Sequence, residues 1–338
     1  MNEKKKIISP EQLKHRIPLS EEIFRAIEVH RQGIRAILEG KDSRLMVIVG
    51  PCSFHDPLAC SEYAHRLKKL ADEVSDKLFI IMRVYLEKPR TTLSWKGYVS
   101  DPYCDETFDI EAGIYHARQF MLALGALNLP IATEVLNPFT QEYVDELLSW
   151  AAIGARTSAS QLHREMASGL AMPVGFKNAT SGRVEAALNG ILFSSHPHVF
   201  LNADASGHVH ITKTSGNPYA HLIMRGSESG PNYSAEHVAV VEEKMEARCI
   251  PKRIIMDCSH GNAIDDFRFQ KTVFLDIIKQ KNAGNQSIKG VMMESFLVEG
   301  HQAMTSMLQY GCSITDPCLG WDDTEQLIKE AHRMLVLT

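Results

Sequence analysis

The sequence predicts an α/β protein built as a (β/α)8 barrel, with an N-terminal helical extension and a β-hairpin inserted before the sixth barrel strand. Three observations carry that expectation. Short apolar runs alternate with amphipathic segments along most of the chain, the pattern of a parallel sheet with helical crossovers. The runs can be placed near 46–50, 79–84, 130–134, 152–155, 173–177, 221–225, 253–257 and 289–293, and eight such units suit a closed barrel, typically ~250 residues before insertions. The runs also end in chemistry: Ile80-Ile81-Met82 meets Arg83, Pro173-Val174-Gly175-Phe176 meets Lys177, and Leu222-Ile223-Met224 meets Arg225. A barrel directs all its strand ends toward one site, so these side chains are expected to converge.

Residues 1–43 form a charged leader, read as an extension that packs on the barrel or contacts another subunit, and 44–338 form the catalytic barrel. Within the leader, Ser20-Glu21-Glu22-Ile23 reads as a helix start, and the helix can run to Leu38 before Gly40. Helical patterns follow at 58–74, 109–127, 138–149, 160–169, 181–194, 234–248, 265–281, 300–308 and 322–336. Two segments break the rhythm. Residues 86–108 make a long loop rich in Pro, Thr, Gly and Asp, and 198–214 alternate polar and apolar around Ser206-Gly207, a hairpin signature. Long loops on a rigid scaffold commonly carry function.

Composition narrows the classes. Hydrophobic residues make up 44% and charged residues 23% of the 338, ordinary for a globular chain with a full core. The formal net charge of −5 and the lack of a basic arm argue against nucleic acid, so positive potential must be local. No run reaches the roughly 18 apolar residues of a membrane helix, and Met1-Asn2-Glu3-Lys4-Lys5-Lys6 is not followed by a signal core. A cytoplasmic protein is expected. The seven cysteines include no C-x-x-C pair and read as reduced thiols.

Cys52 follows the first apolar run, Asp257 and His260 follow the seventh, Glu294 the eighth, and Asp316 sits in Ser313-Ile314-Thr315-Asp316. Cys52, His260, Glu294 and Asp316 are the metal-ligand candidates. Such a sulfur, nitrogen and oxygen set suits Mn, Fe, Co or Zn rather than Ca or Mg. Taken singly, Cys52 reads equally as a small buried hydrophobe, His260 as a satisfied loop histidine and the acids as helix caps; their shared position at strand ends favours the metal. A second set is cationic. Arg83 and Lys88-Pro89-Arg90-Thr91-Thr92 place three cations within eight residues, and Arg156, Lys177 and Arg225 add three. Phosphate or carboxylate ligands are the natural counter-charges, and two anionic substrates would occupy six cations better than one.

Together these blocks resemble the type I metal-dependent DAHP synthases over about residues 45–325. The resemblance rests on Gly50-Pro51-Cys52-Ser53, Arg83 to Thr92, Gly97-Tyr98, Ala132-Thr133-Glu134, Ile153 to Thr157, Val174 to Asn178, Arg225-Gly226, Asp257 to Asn262 and Ser313 to Asp316. Lys88-Pro89-Arg90-Thr91 is the sharpest block, because the related KDO 8-phosphate synthases carry a Lys-Ala-Asn-Arg-Ser type segment there. The resemblance implies condensation of phosphoenolpyruvate with erythrose 4-phosphate, the step that opens the shikimate pathway, in a homodimer or homotetramer with one divalent metal per subunit. It implies that Cys52, His260, Glu294 and Asp316 bind the metal. Arg83, Lys88, Arg156, Lys177 and Arg225 would hold phosphoenolpyruvate, and Arg90 and Thr91 the phosphate of the aldehyde. Glu134 would lie beside the attacking water, and Lys88, or His260 through water, would protonate the new alkoxide.

The chain departs from the pattern of the Phe- and Tyr-sensitive members at Ser158-Ala159, Ala171, Ala179 and Ser227. None is an expected ligand. Ala171 removes a hydroxyl associated with the inhibitor pocket, so an aromatic amino-acid inhibitor is expected to act weakly or with altered preference. Cys318, two residues past Asp316, is placed to form a disulfide with Cys52 once metal is lost. The alternatives are an enzyme of the same fold acting on a different phosphosugar, against which Lys88-Pro89-Arg90-Thr91 speaks, and a non-catalytic regulatory subunit, against which the complete ligand and cation sets speak.

Overall fold

A computed structural model describes residues 4–305 and 307–337. Helices α1 (Pro10–Arg16) and α2 (Glu21–Glu39) form the leader. Ser9 closes a capping box on α1, the Ser20 hydroxyl accepts from the Ile23 N–H of α2, and Gly40 ends α2 in the left-handed region. Ile34, Ile37 and Leu38 of α2 share a cluster with the residues that fill the barrel interior, among them Met46, Ile48, Ile81 and Trp150. The apolar stripe of the leader helix is therefore spent on the barrel.

The strands follow as β1 (Leu45–Gly50), β2 (Leu78–Arg83), β3 (Ile131–Glu134), β4 (Trp150–Ile153) and β5 (Val174–Lys177). The hairpin strands β6 (Val199–Ala203) and β7 (Val209–Lys213) precede β8 (His221–Gly226), β9 (Ile254–Gly261) and β10 (Ile288–Glu294). Eight of them close a parallel barrel in the order β1-β10-β9-β8-β5-β4-β3-β2, while β6 and β7 pair antiparallel as a separate sheet. β1 joins β10 with Gly50 opposite Glu294, and β2 on its other side. Between strands run α3 (Pro57–Glu73), α4 (Ile110–Ala126), α5 (Pro138–Gln141), α6 (Gln161–Gly169), α7 (Glu185–Ser194), α8 (Ala235–Glu246), α9 (Gln270–Asn282) and, after β10, α10 (Trp321–Met334). Their buried faces and the outward faces of the strands form the large second cluster.

Two expected helices do not form. Over 138–149 the chain makes only α5 and a 3-10 turn at Asp145–Leu147. Arg118 donates to the Tyr143 carbonyl (2.8 Å), and Arg31 donates to the carbonyls of Asp145 (3.0 Å) and Leu148 (2.8 Å). These buried guanidinium groups satisfy backbone that a longer helix would have satisfied itself. The described part of 300–308 is a loop, bridged from Gly300 to Cys318 and His301 to Ser313 and braced by Gln302 on Gln309 and Cys312.

Candidate active site

The strand ends converge as expected. Arg83, Glu134, Lys177 and Glu294 are the last residues of β2, β3, β5 and β10, and Arg225 and His260 are the next-to-last residues of β8 and β9. Cys52 and Arg156 follow β1 and β4 by two and three positions. A cavity of about 790 Å³ opens there, lined by Arg83, Lys88, Arg90, Glu134, Arg156, Lys177, Arg225, His260, Glu294 and Asp316 among others. Thr91 is exposed and is not part of this lining.

The buried Cys52 and Glu294 and the exposed Asp316 each bring one donor atom within 4.8 Å of the others. Cys52 Sγ lies 3.4 Å from Asp316 Oδ2. His260 stands just outside that triad, its Nε2 3.9 Å from Glu294 Oε1. Its Nδ1 faces Asp257 Oδ2 at 3.0 Å and Ser259 Oγ at 2.8 Å. A carboxylate on Nδ1 fixes the ring and leaves Nε2 toward the cluster, the usual arrangement behind a histidine ligand. Gln270 holds the backbone of Glu294 on both sides, accepting from its N–H at 2.8 Å and donating to its carbonyl at 3.3 Å.

Electrostatics fit a cation at this point. Burial, with Glu294 nearby, pushes the Cys52 thiol up to about 12. Lys88 donates to Cys52 Sγ at 2.9 Å and to the Cys52 carbonyl at 3.0 Å. Burial alone would raise the Asp316 carboxyl, but Lys88 and His260 beside it bring it down to about 2. The S, N, O, O donor set suits a transition metal.

The cations divide by burial. Arg83 is fully buried: Nη2 donates to Glu294 Oε1 at 3.0 Å, and the guanidinium lies 4.1 Å from the Tyr85 ring centroid. Its Nε and Nη1 find no acceptor among the described residues. Lys177 is also buried, but it is paired, 3.0 Å from Asp257 Oδ2. Arg225 is half-buried and Arg156 exposed. Of the cations the sequence grouped here, Arg83 is therefore the buried one held open. Asp257 is the counter-charge linking Lys177 to His260, rather than a member of the ligand triad; the sequence placed it at the right strand end without revealing that role. Glu134 is buried, and its Oε1 has no partner among the described residues. Gly154 makes room for it: a Cβ there would lie 2.2 Å from Oε1.

Fold and cavity together are those of a barrel enzyme whose site gathers cations beside a candidate metal cluster. A sequence profile described as the DAHP synthetase I family matches residues 14–329. The Tyr-sensitive phospho-2-dehydro-3-deoxyheptonate aldolase of Escherichia coli K12 is 47% identical over 332 residues, covering 97% of this chain and 93% of the relative. The Phe-sensitive enzyme of the same strain is 46% identical over 98% and 95% of the two chains. A Trp-sensitive enzyme from Enterobacter agglomerans is 46% identical over 95% and 93%. The solved phospho-2-dehydro-3-deoxyheptonate aldolase of Francisella tularensis SCHU S4 superposes with a TM-score of 0.97 at 42% identity, covering 99% of this chain and 98% of that one. The chain belongs to the DAHP synthetase I family.

Proposed function

We propose that this chain condenses phosphoenolpyruvate with D-erythrose 4-phosphate and water to give DAHP and inorganic phosphate, the entry step of the shikimate pathway. Family membership supports the reaction. The observation that carries the site assignment is Arg83, fully buried at the cavity with two donors that no described residue takes up. Leaving such donors dry is costly, and a bidentate anion removes the cost.

In this reading Arg83, Lys88, Arg156, Lys177 and Arg225 seat phosphoenolpyruvate, and Arg90 and Thr91 take the phosphate of the aldehyde at the rim. Cys52, His260, Glu294 and Asp316 hold one divalent metal per subunit, Mn, Fe, Co or Zn. Bound there, the metal supplies Lewis acidity for the aldehyde carbonyl. C3 of phosphoenolpyruvate attacks the aldehyde carbon, and water adds to C2. The C2–O bond to phosphate then breaks and leaves the ketone. Glu134, with Oε1 open, orients that water and takes its proton. Lys88 donates the proton to the new alkoxide: it is buried beside Cys52 and kept in its ammonium form, whereas Nδ1 of His260 is engaged by Asp257 and Ser259. The preformed cations stabilise charge without reorganising, usually the largest catalytic contribution. The alternative of another phosphosugar has no observation in its favour.

Two further properties belong to this reading. The near-equal identities to Tyr-, Phe- and Trp-sensitive relatives do not select an effector, and Ala171 offers no hydroxyl, so inhibition by aromatic amino acids is weak or altered in preference. Activity assays with each amino acid test this, and inhibition by Tyr or Phe at millimolar concentration or below contradicts it. The chain forms a homodimer or homotetramer. Val199, Leu201, Val209 and Ile211 of the hairpin are exposed, while the apolar stripe of α2 is already covered, which favours the hairpin as a contact. No helix among the described residues is long and apolar enough to cross a membrane, and a cytoplasmic setting fits the proposed substrates. Phosphate release from phosphoenolpyruvate that requires erythrose 4-phosphate tests the reaction.

A further inference from the structure

Glu87 is a buried carboxyl that the mechanism above does not use. It stands at the base of the loop that carries Lys88, Arg90 and Thr91. The loop leaves and returns beside it: Glu87 forms an antiparallel bridge with Gly97, and the Lys88 N–H donates to the Lys96 carbonyl at 3.0 Å. Gly97, at φ 115°, permits this return, because a Cβ there would lie 2.4 Å from the Leu86 carbonyl oxygen. The Glu87 side chain reaches across to the segment after β3. Oε2 accepts from the Asn137 N–H at 3.3 Å, and Oε1 accepts from the Thr140 hydroxyl at 3.2 Å. Asn137 caps α5, and Glu134 ends β3 three residues earlier.

We propose that Glu87 is a positioning residue for the aldehyde end of the reaction: its carboxylate fastens the Lys88–Lys96 loop to the turn after Glu134, holding the rim cations and the water-orienting carboxylate in one frame. This rests on the assignment of Arg90 and the loop to the aldehyde phosphate. The clasp needs both oxygens as acceptors, which the ionised carboxylate provides in full and the protonated acid does not. Burial, with a smaller contribution from Glu134, pushes Glu87 up to about 7. Glu134 is the charged group facing it from β3. The α5 side presents the uncharged Asn137 and Thr140, and the neighbouring Lys88 is turned to Cys52. Because burial disfavours the anion, ionising Glu87 costs the clasp stability as pH rises toward about 7, a cost that the hydrogen bonds from Asn137 and Thr140 offset.

The test measures KM for each substrate and kcat at about pH 8 in the metal-loaded wild type, Glu87→Gln and Thr140→Val. The amide keeps one acceptor and loses the other. Expected is a KM for erythrose 4-phosphate about tenfold above wild type in Glu87→Gln, the size of one hydrogen bond to a charged group. KM for phosphoenolpyruvate stays within about twofold in both variants. Thr140→Val, which removes one of the two donors, also raises the aldehyde KM. Glu87→Gln with a wild-type aldehyde KM, or with both KM values raised equally, overturns the proposal. If that variant does not fold, an unchanged aldehyde KM in Thr140→Val does the same. Wild-type protein inactive on erythrose 4-phosphate would instead sink the functional reading on which this rests.

Discussion

Arg83 and Glu294 form an ion pair, Nη2 to Oε1 at 3.0 Å, with the guanidinium fully buried and the carboxylate nearly so. The pair ties the proposed phosphoenolpyruvate seat to the candidate metal cluster, since Glu294 also belongs to the triad with Cys52 and Asp316.

Arg83→Lys keeps the charge and loses the fork. We expect kcat/KM for phosphoenolpyruvate to fall about 100-fold or more, with the fold intact by circular dichroism. Arg83→Ala leaves Glu294 buried without its partner and should cost about 3–5 kcal/mol in chemical denaturation. Wild-type kinetics in Arg83→Lys would show that the open donors do not hold substrate.

Gly154→Ala places a methyl group 2.2 Å from Glu134 Oε1, so the carboxylate must move. A displacement of that order in a water-orienting group should lower kcat about 100-fold. Metal content and KM for phosphoenolpyruvate should change little. Unchanged turnover would remove Glu134 from the mechanism.

Cys318 Sγ accepts from the Cys52 N–H at 3.4 Å, which brings its thiol against the Cys52 backbone beside the candidate metal cluster. Metal-free enzyme in air should lose activity together with two titratable thiols, dissolved oxygen accepting the electrons. Cys318→Ser should slow this loss. Equal inactivation of variant and parent would contradict the pairing.

His221 is buried beneath the barrel, where its Nε2 accepts from Trp150 Nε1 at 3.1 Å and its Nδ1 donates to the Tyr219 carbonyl at 2.9 Å. Burial lowers it from 6.5 to about 4. The native state therefore binds fewer protons than the unfolded chain in that window. The stabilisation is complete above about 6.5 and is lost as pH falls toward 4, by about 3 kcal/mol in all. Urea titrations at several pH values should show a shallower acid decline in His221→Gln. Parallel curves would place the acid sensitivity elsewhere.

The barrel was legible because each strand is a continuous apolar run, and Arg83, Lys177 and Glu294 mark where three of them stop. The hairpin was legible from its period of two. The short α5 was not, because Arg31 and Arg118, more than a hundred and about twenty-five positions away from the carbonyls they take, replace the helical hydrogen bonds that the local sequence predicts. In the site, residue types at strand ends located the candidate ligands and cations. Pairing was hidden. Asp257 joins Lys177 to His260, Gln270 holds the Glu294 backbone, and Glu87 clasps the segment after β3; apart from the Asp257–His260 contact, these join residues far apart in sequence.

The most direct measurement of the central claim is phosphate release from phosphoenolpyruvate by the purified protein, with and without erythrose 4-phosphate, after EDTA and after return of Mn2+. The account predicts release that depends on the aldehyde, disappears with EDTA and returns with metal. Metal-loaded protein that releases no phosphate in the presence of erythrose 4-phosphate would contradict it.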